Sequence, residues 1–143
     1  MKIENKPLIS LIIAVYNKPE FLELVLESCL NQCFKDFEII IADDGSNSDI
    51  HKTIQQYAAR FSYPIIHCWH ENKGFRKTII VNEAAKRANA QYLVFIDGDC
   101  ILHRGFLKGH WNNRRKNVVL SGRRVRLNKV ISKVISLQDI RSH

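Results

Sequence analysis

The chain has 143 residues, 45% of them apolar and 25% charged, with a formal net charge of +8 at pH 7. That length suits a single domain over residues 1–143, and a domain of this size buries roughly 70% of its unfolded surface without needing disulfides or metals. Six glycines and three prolines exclude collagen-like and low-complexity chains, and the apolar content excludes disorder as the main state.

The longest apolar runs, Leu11 to Tyr16 and Ile39 to Ala42, fall far short of the ~20 residues that cross a bilayer. Met1 to Lys6 lead straight into a strand-like run, with no long apolar stretch and no small-residue cleavage site. No signal peptide is therefore expected, and the protein reads as cytoplasmic. Cys29, Cys33, Cys68 and Cys100 form no Cys-x-x-Cys pair and are expected as reduced thiols. Charge is uneven: residues 1–100 carry eleven Lys/Arg against thirteen Asp/Glu, whereas residues 101–143 carry eleven against Asp139 alone. A basic back half fits contact with nucleic acid, a phosphorylated ligand or an acidic membrane, and equally a solvated face.

Strand-like and helix-like segments alternate along the chain. Leu8 to Val15 is rich in β-branched residues, and Pro19 suits the first turn of the helix that follows, where a missing N–H costs nothing. Phe21, Leu22, Val25, Leu26, Cys29 and Leu30 recur at helical spacing; Cys33 lies four residues beyond Cys29, and both read as core or flank residues. A second strand spans Phe37 to Ala42, and a second helix starts near Ser48 or Asp49, either of which could cap it, and runs to about Phe61. Pro64 to Cys68 reads as a third strand. The third helix covers roughly Arg76 to Ala90 with Ile79, Ile80, Ala84 and Ala88 toward the core, and Tyr92 to Ile96 forms a fourth strand. Strands apolar almost throughout imply a sheet covered on both faces. Repeated βα units imply an α/β fold with a doubly wound, mostly parallel sheet, whose ligands bind at the carboxyl edge of the strands.

Three polar clusters fall at that edge: Tyr16-Asn17, Asp43-Asp44-Gly45-Ser46 and Asp97-Gly98-Asp99. Asp44 and Asp97 are 53 positions apart, yet the topology brings them together. Four converging carboxylates repel one another unless cations or hydrogen-bond donors compensate, and Mg²⁺ with a phosphate ligand is a natural compensator. Each cluster alone is also ordinary turn chemistry. Their order, each behind an apolar strand, is harder to produce by turns.

With these segments in view, the chain resembles the donor-binding half of a family 2 glycosyltransferase of the GT-A fold. The resemblance rests on Ser10 to Asn17, Phe37 to Asp49, Asn72-Lys73-Gly74-Phe75-Arg76-Lys77 leading to Asn82, and Tyr92 to Asp99 followed by Phe106. It spans about residues 8–110, leaving 111–143 as a basic segment with a truncated acceptor side. It implies that Ala14, Val15 and Tyr16 line a nucleotide-base pocket and that Asp43 or Asp44 bonds the base or ribose. The family often has Pro-Thr where this chain has Ala14-Val15. Arg76 and Lys77 would hold anionic donor groups, or be solvated helix-end charges. Asp97 would approach the ribose or the metal, and Asp99 would bind Mg²⁺ or Mn²⁺ directly. The implied function is inverting transfer of a sugar from a nucleotide-diphospho-sugar, UDP-linked, to a glycan or lipid-linked acceptor in polysaccharide synthesis.

Such a transfer needs a general base. The family places an Asp or Glu downstream of its Asp-x-Asp motif, but after Asp99 this chain has only Asp139, inside a helix-like stretch. The catalytic base therefore stays unassigned, and a catalytically inactive nucleotide-binding or interaction module is the alternative. His67, Cys68 and His70 lack the matching second pair of a zinc site. The Arg114-Arg115-Lys116 and Arg123-Arg124-x-Arg126 runs, with Trp111, could bind phosphate or acidic lipid in peripheral membrane contact. Nucleic acid is the weaker partner, because no aromatic platform accompanies the charge. Val130, Ile131, Val134, Ile135, Leu137 and Ile140 give one helix with an apolar stripe, read as core or as a docking surface ahead of an interfacial membrane element.

Overall fold

The computed structural model describes residues 6–142. Four strands, β1 (Ile9–Val15), β2 (Phe37–Asp43), β3 (Ile66–Trp69) and β4 (Tyr92–Asp97), form one sheet in the order β3-β2-β1-β4, with every pair parallel. The helices are α1 (Pro19–Leu30), α2 (Ser48–Ala58), α3 (Lys77–Lys86), α4 (Phe106–Asn113), α5 (Lys129–Val134) and α6 (Leu137–Arg141). This is the α/β, doubly wound parallel architecture expected from the sequence.

The winding follows from strand order. From β1 to β3 the chain steps one way across the sheet, and then returns past β1 to place β4 on the other side. Right-handed crossovers put the helices of the two directions on opposite faces. Leu22, Val25 and Leu26 of α1, Ile50 and Ile54 of α2, and Leu107 of α4 accordingly share one core with Ile9, Leu11 and Ile13 of β1. Ile80 and Ala84 of α3 pack with Ile12, Ile40 and Ala42 on the other face. Each fully buried Ile or Leu contributes about 1.5–3 kcal/mol relative to exposure.

Register is fixed by a buried polar pair as well as by this alternation. Ser10 lies directly opposite Glu38 and donates to its Oε1 at 2.5 Å. Glu38 also accepts from Asn89 N at 2.7 Å and Asn89 Nδ2 at 2.8 Å, while Ala90 N donates to Ser10 Oγ at 3.1 Å. A one-residue slip would strand both side chains and reverse the faces of β1. The same network explains why α3 ends at Lys86 rather than Ala90: residues 89 and 90 are drawn off to serve β1 and β2.

Several expectations need correction. Asn47, not Ser48 or Asp49, caps α2, its side chain accepting from Asp49 N at 3.0 Å. That helix stops at Ala58, and Phe61 packs edge-on against Phe37 instead. The sheet is not fully covered: α3 shields one face of β1, β2 and β3, but Phe95 on β4 is 53% exposed and Ile79, expected in the core, is 51% exposed. Helix α4 carried no clear apolar period and was not anticipated. The single carboxy-terminal helix is broken at Ile135–Ser136, where Ser136 and Asp139 form a capping box that starts α6. Its apolar stripe splits there: Val130, Ile131 and Val134 are exposed, whereas Ile140 is buried. Among the described residues, no helix is long and apolar enough to cross a membrane.

One carboxylate ties the end of the chain to its beginning. Glu27, buried on α1, accepts from Tyr57 Oη at 3.1 Å, from Arg60 Nη1 and Nη2 at 3.1 Å each, and from Arg141 Nε at 3.1 Å and Nη2 at 3.3 Å. Burial alone would raise its pKa. The hydrogen bonds from Arg141, Arg60 and Tyr57 more than reverse this and hold it near 2, against an ordinary value of 4.5. A carboxyl lowered on folding adds stability that is fully present above 4.5 and is lost as pH falls through about 2. Equilibrium unfolding between these limits should therefore show a decline of a few kcal/mol that Glu27→Gln flattens. An unchanged slope in the variant would refute the assignment.

Candidate functional site

The carboxyl ends of the strands meet in a cavity of about 320 Å³ lined by residues from the loops after β1, β3 and β4, and by Asp44 after β2. It sits between β1 and β4, where the chain reverses its direction across the sheet. Open α/β sheets bind ligands at that switch point, because the loops on either side diverge and leave a crevice.

Each loop has its own reason for its course. After β1, Asn17 and Lys18 both adopt the left-handed region (φ 52° and 56°), turning the chain into Pro19 at the start of α1. Asn tolerates that region, while for Lys it costs roughly 1–2 kcal/mol. Cross-links offset the cost: Asn17 N donates to Ser46 Oγ at 2.7 Å, and Asn47 N donates to Asn17 Oδ1 at 3.0 Å. After β2, Gly45 has φ +84°, and the backbone of Asn72 packs where its Cβ would be. After β4, Gly98 N donates to Ala14 O at 2.8 Å, and a Cβ on Gly98 would lie 2.8 Å from Val15 Cγ1.

The acids of the second cluster have different surroundings. Asp43 is fully buried; it accepts from Ser46 N at 2.8 Å and pairs with His67 Nε2 at 2.9 Å. It shapes the turn and does not line the cavity. Asp44 does line it, held by His70 Nε2 at 2.7 Å and by Arg76 N at 3.0 and 3.3 Å. His67 and His70 are thus carboxylate partners, and Cys68 between them is buried on the opposite face, against Ile80 and Ala84. The Arg76 guanidinium turns away to Glu71 O at 2.6 Å, so Arg76 serves the site through its backbone.

Ala14, Val15, Tyr16, Asp44, Lys77, Asp97 and Asp99 are brought together around the cavity; Asp43 and Arg76 are not part of its lining. Convergence of the carboxylates is met by the protein's own donors: Asp44 as above, and Asp97 by Lys77 Nζ and by Arg124 Nη1 at 3.2 Å. One oxygen each of Asp97 and Asp99 and the Sγ of Cys100 lie within 4.8 Å of one another. Two neighbouring carboxylates suit a hard dication, whereas the thiol is a soft ligand that such an ion does not favour.

The sequence singled out Arg124 only as part of a basic run for phosphate or lipid and His70 only as half of an incomplete zinc pattern, and it gave Phe75 no role of its own. His70 had a findable signal, since it follows β3 directly and falls on the same edge as Asp44. Phe75 is 87% exposed at the cavity, a costly placement for a phenyl ring that its sequence position does not reveal. Arg124 comes from the irregular segment between α4 and α5, whose path no periodicity encodes.

A doubly wound sheet with an acidic crevice at its switch point belongs to the class of open α/β proteins that take ligands at the carboxyl edge of the strands. More specifically, residues 10–134 match the family described as Glycosyl transferase family 2, and the chain belongs to that family. It is 33% identical over 94 residues to the putative teichuronic acid biosynthesis glycosyltransferase TuaG of Bacillus subtilis, covering 66% of this chain and 36% of that protein. Among solved structures it superposes on TarS of S. aureus in complex with UDP-GlcNAc with a TM-score of 0.62 at 24% identity, covering 73% of this chain and 30% of the other. A mannosyltransferase from Pyrobaculum calidifontis in complex with GDP-Man and Mn²⁺ gives a TM-score of 0.61 at 19% identity, over 71% and 30% of the two chains. The chain spans about a quarter to a third of the length of the curated relatives it matches first.

The glycines of the crevice give a graded prediction. Gly74 (φ +85°) has nothing within 4 Å of a built Cβ, so Gly74→Ala meets backbone strain alone, a cost of about 1 kcal/mol. Gly45→Ala adds a clash 2.6 Å from Asn72 Cα and should cost about 2–4 kcal/mol by urea unfolding. Equal losses in the two variants would contradict this packing.

Proposed function

We propose that this chain binds a nucleotide-diphospho-sugar, UDP-linked, in the crevice between β1 and β4. In the whole protein it would supply the donor half of an inverting transfer to a glycan or lipid-linked acceptor in polysaccharide synthesis. The observation that carries this reading is that Asp44, at the end of β2, lines the same cavity as Asp97 and Asp99, at the end of β4. TarS with UDP-GlcNAc and the mannosyltransferase with GDP-Man and Mn²⁺ support it by their shared fold.

In this reading Ala14, Val15 and Tyr16 form the wall for the base, with the exposed rings of Tyr16 and Phe75 available for stacking. Asp44, oriented by His70 and the Arg76 N–H, keeps spare lone pairs for a base N–H or a ribose hydroxyl. Asp97 and Asp99 would hold Mg²⁺ or Mn²⁺. Such an ion would offset the charge that develops on the departing nucleoside diphosphate. Lys77, at the first turn of α3, lines the same crevice and would hold anionic donor groups. Exposed Val130 and Val134 beside Lys129 and Lys133 support peripheral contact of the basic segment with acidic lipid.

A second reading is nucleotide binding without transfer, and one observation bears on the base within residues 1–143. Asp139, the only acid after Asp99, accepts from Ser136 N at 2.8 Å and Ser136 Oγ at 2.7 Å in the α6 cap. A carboxylate so engaged is poorly placed to take a proton from an acceptor.

Calorimetry of UDP with and without Mn²⁺ tests the proposal. Mn²⁺ should tighten UDP binding roughly tenfold or more, about 1.4 kcal/mol, and Asp99→Ala should remove that gain. Absence of UDP binding under both conditions would end the reading. Binding without sugar transfer or donor hydrolysis by the whole protein would select the non-catalytic module.

A further inference from the structure

Asp97 does not face the crevice bare. Lys77 Nζ bonds its Oδ1, and Arg124 Nη1, from the irregular segment between α4 and α5, bonds its Oδ2 at 3.2 Å. Asp99, two residues on, meets no cation among the described residues. The four side chains Lys77, Arg124, Asp97 and Asp99 together carry no net charge.

This arrangement is poorly suited to a dication alone. To be a ligand, Asp97 must give up at least part of its contact with Lys77 and Arg124, and the ion then faces two displaced positive charges across a short distance. A nucleoside diphosphate changes the balance, because it brings more negative charge than the ion brings positive. It also gives the displaced cations a new partner of the geometry guanidinium prefers.

Arg124 is the more exposed of the two cations. Its side chain is 72% exposed and touches the site through one nitrogen, so the contact with Asp97 contributes little and is easily broken. The rest of its planar fork has no partner among the described residues and is free to receive phosphate oxygens. Lys77 is set at the start of α3, with its side chain less exposed than that of Arg124.

We propose that Arg124 is a diphosphate-binding residue that rests on Asp97 until a divalent ion and a nucleoside diphosphate arrive together, and then transfers to the phosphate. The inference rests on the nucleotide-sugar reading above and deepens it. Its consequence is reciprocal coupling: the ion binds weakly by itself, and each ligand strengthens the other.

The test measures two constants on the same protein. Electron paramagnetic resonance of free Mn²⁺ gives the affinity for the ion alone, and calorimetry with UDP at saturating Mn²⁺ gives the affinity for the nucleotide. Arg124→Ala should move them in opposite directions, tightening Mn²⁺ alone and weakening UDP, each by roughly threefold to tenfold. Arg126→Ala removes the same charge two positions away, from a side chain with no contact to Asp97, and should leave both near the original values. A structural role for Arg124 would weaken both constants together; that result, or no change in either while the unmodified protein binds UDP, overturns the exchange alone. An equal effect from Arg126→Ala also overturns it, since the general field would then be responsible. Failure of the unmodified protein to bind UDP would remove the nucleotide reading and this inference with it.

Discussion

The last two carbonyls of β1 each receive a hydrogen bond from a different neighbouring loop. Gly98 N reaches Ala14 O at 2.8 Å from the β4 side, and Asp44 N reaches Val15 O at 3.0 Å from the β2 side. These two backbone bonds extend the parallel ladder just past the strands, and they decide where the acidic residues stand. Because β1 is central and paired on both sides, its end acts as a fixed post to which the two acidic clusters are tied. Neither bond depends on side-chain identity, except that Gly98 must lack a Cβ to come so close. The crevice is thus a property of sheet topology before it is one of side-chain chemistry.

Placing carboxylates on such a post raises an electrostatic problem that the protein solves locally. Each acid at the edge except Asp99 has a donor supplied by another element: His67 for Asp43, His70 and the α3 entry for Asp44, Lys77 and Arg124 for Asp97. The consequence is a division of labour. Buried Asp43 is committed to holding a turn, Asp44 is oriented but keeps acceptor capacity toward the cavity, and Asp97 and Asp99 remain exchangeable. Burial follows the same order, from the backbone-bonded interior to the solvated rim.

Much of the architecture was legible because its signals are local and strong. Ile-rich runs at β1 and β2, buried on both faces, gave no alternation and therefore pointed to a parallel sheet; Pro19 marked the entry to α1 within a residue. Signals failed where long-range bonds outweighed local propensity. Helix α3 ended early because Asn89 serves Glu38 and Ala90 serves Ser10, partners 51 and 80 positions away. The helix expected near the carboxyl end broke because a Ser136–Asp139 box outcompeted continuation. At the site, the residue types of Asp43 and Asp44 were equivalent in sequence, and only the direction of each side chain, set by the pleat of β2 and the turn after it, separated the structural acid from the cavity-facing one.

The Glu27 cluster has a bearing on the opposite side of the molecule. Arg141 fastens α6 to α1, and Leu107 seats α4 in the main core, so the stretch of chain between them is held at both ends. Arg124 lies inside that loop. Its encounter with the crevice is therefore intramolecular, at the effective concentration of a short tether rather than that of a free cation. A contact too weak to persist between separate molecules is kept within reach by an ion cluster that never touches it.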